Sequence, residues 1–232
     1  MISHTGTLEP TGTEDRIDAI LDRALEATFP VSDPIAFPLG GGAFVQDNRY
    51  PVGLISSWIA PDGTYVSIRP VRPDDVQLMQ QFVKALSPKT KYLRFMSGVR
   101  ELPPAMIARL TRIEYGRDMA LLALVSDRDV ERQVGVVRYV RAPDGESAEM
   151  ATVVADDWQG RGLSRHLLTQ LIDIARASGL KTLSADILTV NKPMLALSRA
   201  LGFELDDPLG DGAVARATLR LSGSHHAALL EP

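Results

Sequence analysis

Apolar and polar positions along the chain change period repeatedly, and each change marks an element. From Thr64 to Arg69 the two kinds alternate around Tyr65, Val66 and Ile68, as a strand requires. Behind Pro73, the positions Val76, Met79, Phe82, Val83 and Leu86 recur at helical spacing and predict a helix from about Asp74. Short helices follow over Lys89–Met96 and Pro104–Arg112, then strands over Ala120–Asp127, Gln133–Arg141 and Ala148–Ala155. Asp127-Arg128-Asp129 and Pro143-Asp144-Gly145 supply the turn chemistry between those strands. The strongest helix pattern starts near Gly162 and ends at Gly179, with Leu163, Leu167, Leu168, Leu171, Ile172 and Ala175 on one face. Thr182–Leu188 alternates again, with Leu183, Ala185 and Ile187 on one side. A helix over Lys192–Leu201 and strands near Phe203 and over Ala213–Leu221 complete an α/β (α+β) pattern.

The first 60 residues read differently. Thr11 and Glu14 have capping-box spacing, and Ile17, Ile20, Leu21, Ala24 and Leu25 make a helical stripe that should stop before Pro30. Beyond it Pro34, Pro38, Gly40-Gly41-Gly42 and Pro51 break every longer period, so an irregular arm is expected, with short strands near Phe44–Val45 and Gly53–Ile59. No Gly-Lys-Ser/Thr sequence follows the glycine triplet as a phosphate loop would need, so it reads as plain loop. The predicted division is therefore 1–60, helix plus arm; 61–222, the α/β unit; and 223–232, a disordered tail whose His225-His226 pair has no further histidine near it to complete a metal site.

Composition narrows the function classes. Lys plus Arg is 25 and Asp plus Glu is 29, and a net charge of −4 speaks against a nucleic-acid partner, which favours a basic excess. With no cysteine there is no disulfide, no thiolate metal ligand and no acyl-Cys intermediate. The longest apolar run, Met119–Val125, is far short of the ~18 residues that span a bilayer. The chain starts without a basic, then apolar, leader, so a cytoplasmic protein with no membrane partner is expected.

Chemistry concentrates between Ala148 and Phe203. A strand leads into Gln159-Gly160-Arg161-Gly162-Leu163-Ser164, which opens the long amphipathic helix. Two glycines let backbone N–H groups converge, the helix N-terminus adds about half a positive charge, and Arg161 and Arg165 add full ones. A pyrophosphate suits that cradle. An ordinary glycine-containing strand-to-helix turn also explains the glycines alone.

Two spaced blocks favour the cradle. Gln159-x-x-Gly162-x-Ser164 resembles the Gln/Arg-x-x-Gly-x-Gly/Ala signature of the GNAT acyl-coenzyme A N-acyltransferases. Asn191-Lys192-Pro193-Met194, Leu197 and Leu201-Gly202-Phe203 resemble that family's closing block. Upstream, Ile68-Arg69-Pro70-Val71-Arg72-Pro73-Asp74-Asp75, Leu86-Ser87-Pro88, Tyr92-Leu93-Arg94-Phe95 and Asp118-Met119-Ala120 are similar to the acetyltransferase domain of bacterial protein lysine acetyltransferases. The likeness covers about residues 64–222. It implies the GNAT fold: a mixed central sheet with helices on both faces and a splayed strand pair at the cofactor site. It further implies acetyl-coenzyme A as co-substrate, with the backbone of Thr152, Val153 and Val154 along the pantetheine arm. Gln159, Gly160, Arg161, Gly162, Leu163 and Ser164 would hold the pyrophosphate, and Asn191 the cofactor arm. An unpaired strand N–H in the gap would stabilise the oxyanion formed when the thioester is attacked.

The acceptor needs a base, because a lysine of pKa ~10.4 is neutral in only about one molecule in 2,500 at pH 7. Glu149 stands where related enzymes place a general-base glutamate; as a solvated strand-end charge it would have no such role. Glu114 and Asp118 are reserve carboxylates that read better as helix-end and turn residues. Ser198 replaces the tyrosine that many relatives use as acid. The expected activity is acetyl transfer to a primary amine, a protein lysine first, by direct attack in a ternary complex without a metal. A small-amine acceptor and a non-catalytic coenzyme A-binding module are the alternatives, and a homodimer is left open.

Overall fold

The computed structural model describes residues 49–96, 102–127, 130–206 and 212–221. Eight strands among them form one sheet: β1 (Ser56–Ile59), β2 (Tyr65–Pro70), β3 (Met119–Asp127), β4 (Val130–Arg141), β5 (Ser147–Val154), β6 (Thr182–Leu188), β7 (Glu204–Asp206) and β8 (Val214–Arg220). Their order is β1-β2-β3-β4-β5-β6-β8-β7, and every pairing is antiparallel except that of β5 with β6. This is the mixed central sheet that the resemblance implies. The predicted Glu14–Phe29 helix, the Phe44–Val45 strand, the glycine triplet and the His225-His226 tail lie outside the described residues.

The five described helices are α1 (Val76–Ala85), α2 (Pro88–Phe95), α3 (Pro104–Thr111), α4 (Leu163–Ala177) and α5 (Lys192–Ala200). Each matches a predicted helix to within a residue or two at its ends. β4 begins at Val130 rather than Gln133, because its ladder with β3 continues as far as the Asp127↔Val130 pair. Within that ladder Ala123 faces Gly135 while Leu124 faces Gln133, so Val134 is the extra residue of a bulge.

α4 lies on one face of the sheet with Leu163, Leu167, Leu168, Leu171, Ile172 and Ala175 buried. Gly135 permits that approach. A Cβ there would stand 3.1 Å from Leu167 Cδ1 and 3.3 Å from Leu163 Cδ2. The other face carries α1 and α2: Gln133 Nε2 reaches Met79 Sδ of α1 at 3.8 Å, and α2 packs on β5.

Burial of apolar side chains drives this packing, at roughly 25 cal/mol per Å². One ion pair is sealed within it. Arg69 Nη1 donates to Asp75 Oδ2 at 2.7 Å and Nη2 to Oδ1 at 2.6 Å, while the Arg72 backbone N–H also donates to Oδ2. Both side chains are under a tenth exposed. The Arg69…Asp75 spacing therefore fixes the turn from β2 into α1.

Candidate active site

The parallel ladder between β5 and β6 has three pairs, Ser147↔Thr182, Ala148↔Leu183 and Glu149↔Ser184, and then stops. Each strand continues with its other neighbour: β5 stays paired to β4 as far as Val154, and β6 to β8 as far as Leu188. The two backbones therefore part beyond Glu149 and Ser184, leaving facing edges without ladder partners. This is the expected splay, and α2 and the start of α5 cover it.

Two connected cavities occupy the gap and share Leu93, Arg94, Thr152, Asn191 and Met194. The larger, about 390 Å³, runs along Thr152, Val153 and Val154 to Gly160, Gly162 and Ser164. At its far end Gly160 and Gly162 have φ of 75° and 90°, in the left-handed region that favours glycine. No backbone N–H of Gly160, Arg161 or Gly162 donates to a backbone carbonyl among the described residues. The first turn of α4 adds further unsatisfied N–H groups. A Cβ on Gly162 would meet little, with Trp58 Cζ2 nearest at 3.8 Å, so glycine is set there by its backbone angle. These donors and the open strand edge fit a pyrophosphate joined to an amide-bearing arm.

α2 is fastened to this wall through Asp156, in the short 3₁₀ turn after β5. Asp156 Oδ1 accepts from Ser87 Oγ at 2.6 Å and Thr90 Oγ1 at 2.7 Å, and Oδ2 accepts from the Ser87 N–H at 2.8 Å. Gln159 Nε2 donates to Thr90 Oγ1 and to the Val154 carbonyl. Its side chain thus pins helix to strand, and Gln159 also lines the groove.

The smaller cavity, about 80 Å³, lies at the crotch of the splay and is lined by Glu149, Asp186, Arg94, Met150 and Phe95 among others. Cross-strand register puts Glu149, Ser184, Asp186 and Arg216 on one sheet face. Burial, and then the negative charge of Asp186, push the Glu149 carboxyl up to about 7, against the pull of Arg216 and Arg94. Burial and the charge of Arg138 pull Arg94 down to about 10, which leaves it cationic at neutral pH. A carboxyl poised near neutrality and facing an open strand edge is suited to take a proton.

Of the residues singled out in the sequence, all of the proposed cofactor set except Arg161 line the larger cavity. Arg161 turns away: Nη1 pairs with Asp62 Oδ2 at 2.6 Å, and the guanidinium lies 4.9 Å from the Trp158 ring centroid. Asn191 lines the groove and also caps α5, accepting from the Met194 N–H at 3.3 Å. Glu114 and Asp118 line neither cavity; Asp118 Oδ1 accepts from the Arg141 N–H. Ser198 is fully buried and outside both linings. Sequence reasoning missed Asp186 as a site residue and gave Arg94 and Thr90 no role. The signal for Asp186 was a charged residue on the polar side of an otherwise apolar strand.

A mixed sheet splayed at its parallel pair, with a two-glycine cradle at one end of the gap and a near-neutral carboxyl at the other, defines an acyl-transferring enzyme class. Comparison with known proteins agrees. Residues 90–203 match the model of the acetyltransferase (GNAT) family. The chain is 39% identical over 142 residues to an acetyltransferase of Pseudomonas aeruginosa, covering 61% of this chain and 76% of that protein. It is 32% identical over 143 residues to the acetyltransferase Pat of Mycolicibacterium smegmatis, covering 60% of this chain but 41% of that longer protein. The GNAT domain of S. lividans PAT superposes with a TM-score of 0.67 at 26% identity, over 74% of this chain and 99% of that one. The chain belongs to the GNAT family and is an acetyltransferase. No helix among the described residues is long and apolar enough to cross a membrane, and no three potential metal ligands cluster there.

Proposed function

We infer that the protein transfers the acetyl group of acetyl-coenzyme A to a primary amine, a protein lysine first, with Glu149 as general base. The thioester supplies an activated acetyl group. The backbone donors of Gly160–Ser164 and the free edge of β5 are placed to hold and align its carrier, as family membership leads one to expect. Glu149 takes a proton from the amine and passes it to solvent. The observation that carries this reading is the position of Glu149 in the wall of the inner cavity, which shares Thr152 and Asn191 with the cofactor groove, with its carboxyl raised to about 7. Without a cysteine, the amine attacks the bound donor directly.

The protein acceptor is favoured by the surface beside Glu149. Ser184, Asp186, Arg216 and Thr218 share its sheet face and all stay partly exposed, an open strip along which a peptide can lie. The small volume of the inner chamber also accommodates a compact free amine, and this is the second reading. Free-thiol release from acetyl-coenzyme A, followed across lysine proteins, lysine peptides and small amines, separates them. Turnover with small amines and none with any lysine substrate removes the first. No turnover with any amine removes both and leaves a binding module.

A further inference from the structure

We propose that Asp186, anchored by Arg216, docks the ammonium form of the acceptor amine beside Glu149. The proposal rests on the amine-acetyltransferase reading and adds a residue to it. Glu149 and Ser184 form the last rung of the parallel ladder, and Asp186 lies two residues beyond Ser184 on β6, hence on the same face. Both carboxylates line the inner chamber, one from each side of the splay. Asp186 is held from behind. Arg216 Nη1 donates to its Oδ1 at 3.3 Å, and Arg216 Nη2 donates to Ser184 Oγ at 3.0 Å. Oδ2 has no hydrogen bond among the described residues, and the Asp186 side chain keeps 28% of its exposure.

The chemistry asks for such a group. A primary amine arrives protonated at neutral pH and has three N–H donors to place. Arg94 faces the chamber from α2 with a positive charge that repels it. Glu149 must lose its own proton before it can accept one, so a site with Glu149 alone would have one group both attract the cation and deprotonate it. With Asp186 opposite, one ammonium hydrogen bonds to Asp186 Oδ2 while another points to Glu149. The proton leaves to Glu149 and the neutral amine remains held by Asp186. The charged groups acting on this pair are Arg94 from α2 and Arg216 from β8, with Asp206 of β7 in register with Arg216, while Arg138 of β4 acts on Arg94 behind them.

The test compares Asp186→Asn and Asp186→Glu with the full parent chain, using a lysine-bearing peptide and acetyl-coenzyme A. For Asp186→Asn, KM for the peptide should rise on the order of 10- to 100-fold while KM for acetyl-coenzyme A stays put. Asp186→Glu should recover part of the loss. The acid limb of kcat/KM should also move to lower pH, because a neighbouring negative charge has been removed from Glu149. A folded Asp186→Asn protein with unchanged peptide KM overturns the proposal and leaves Glu149 untouched. Absence of amine turnover in the parent instead overturns the transferase reading. Docking is then read by calorimetry on the coenzyme A-loaded protein, with the lysine peptide and its norleucine counterpart. Tighter binding of lysine that is lost in Asp186→Asn supports docking, and equal binding of the two peptides overturns it.

Discussion

Glu149 and Ser184 close the parallel ladder between β5 and β6, and one residue further along each strand the backbones are no longer paired. The carboxyl is thus fixed by a rung behind it and open to a cavity in front. That combination of a rigid mount and a partly dry surround is what a base needs. Its displacement to about 7 follows from burial first and from Asp186 second.

Glu149→Gln keeps the shape and removes the basicity. Its kcat should fall by about 10²–10⁴-fold, with the deficit shrinking at high pH where the amine deprotonates unaided. Stability should move the other way. A carboxyl raised from 4.5 to about 7 lets the folded state bind more protons than the unfolded one across that window, so the parent loses stability as pH rises through it. Above pH 7 the variant should therefore be the more stable, by up to about 3 kcal/mol. Urea melts at pH 5 and pH 8 beside turnover check both halves; a variant less stable than the parent at pH 8 would mean Glu149 is a structural anchor.

Gly162→Glu should abolish coenzyme A binding, because it sets a negative charge among the unpartnered loop N–H groups. Gly162 has φ of 90°, so any side chain also costs about 1–2 kcal/mol. Gly162→Ala separates the two effects: it should lose that stability yet keep measurable affinity. Calorimetry with coenzyme A decides, and full affinity in Gly162→Glu would place the cofactor elsewhere.

The fold was legible because its periods are strong: α4 and β6 emerge nearly residue for residue from Leu163–Ala175 and Leu183–Ile187. The cradle was legible because glycines and the residues after them are contiguous in the chain. What escaped is what the sheet order brings together. Asp186 meets Glu149 only because β6 lies parallel to β5, and Arg94 only because α2 is tied over both by Asp156. Gln159 and Arg161 belong to the expected pyrophosphate cradle, yet their side chains bond to Thr90 and Asp62, 69 and 99 residues away in sequence. No local pattern announces such partners.

Asp75→Asn should destabilise the protein by about 3–5 kcal/mol, since it strands Arg69 as a buried charge without its counter-ion. Glu131, 3.9 Å from Arg69 and exposed, is too distant and too solvated to replace it. Replacing both members, as in Arg69→Met with Asp75→Leu, should cost less than the single change. Chemical denaturation measures all three. A single variant as stable as the parent would mean that water reaches Arg69 and the pair is not sealed.

Ser198→Ala bears on the acid. Where the resembling enzymes carry a tyrosine, this chain has a serine with no exposed surface, whose Oγ has no hydrogen-bond partner among the described residues. It reaches neither cavity, although Met194 and Leu197 on the same helix do. A group so placed cannot protonate a departing thiolate, and a coenzyme A thiol leaves readily without one. Ser198→Ala should therefore keep kcat within about twofold of the parent. It should also raise stability by up to about 1 kcal/mol, by removing an unpaired buried hydroxyl and improving helix propensity in α5. Steady-state turnover and a thermal melt on the same preparation give both numbers. A tenfold loss of kcat in a protein that melts no lower would restore Ser198 to the chemistry and require a water chain linking it to the cavity.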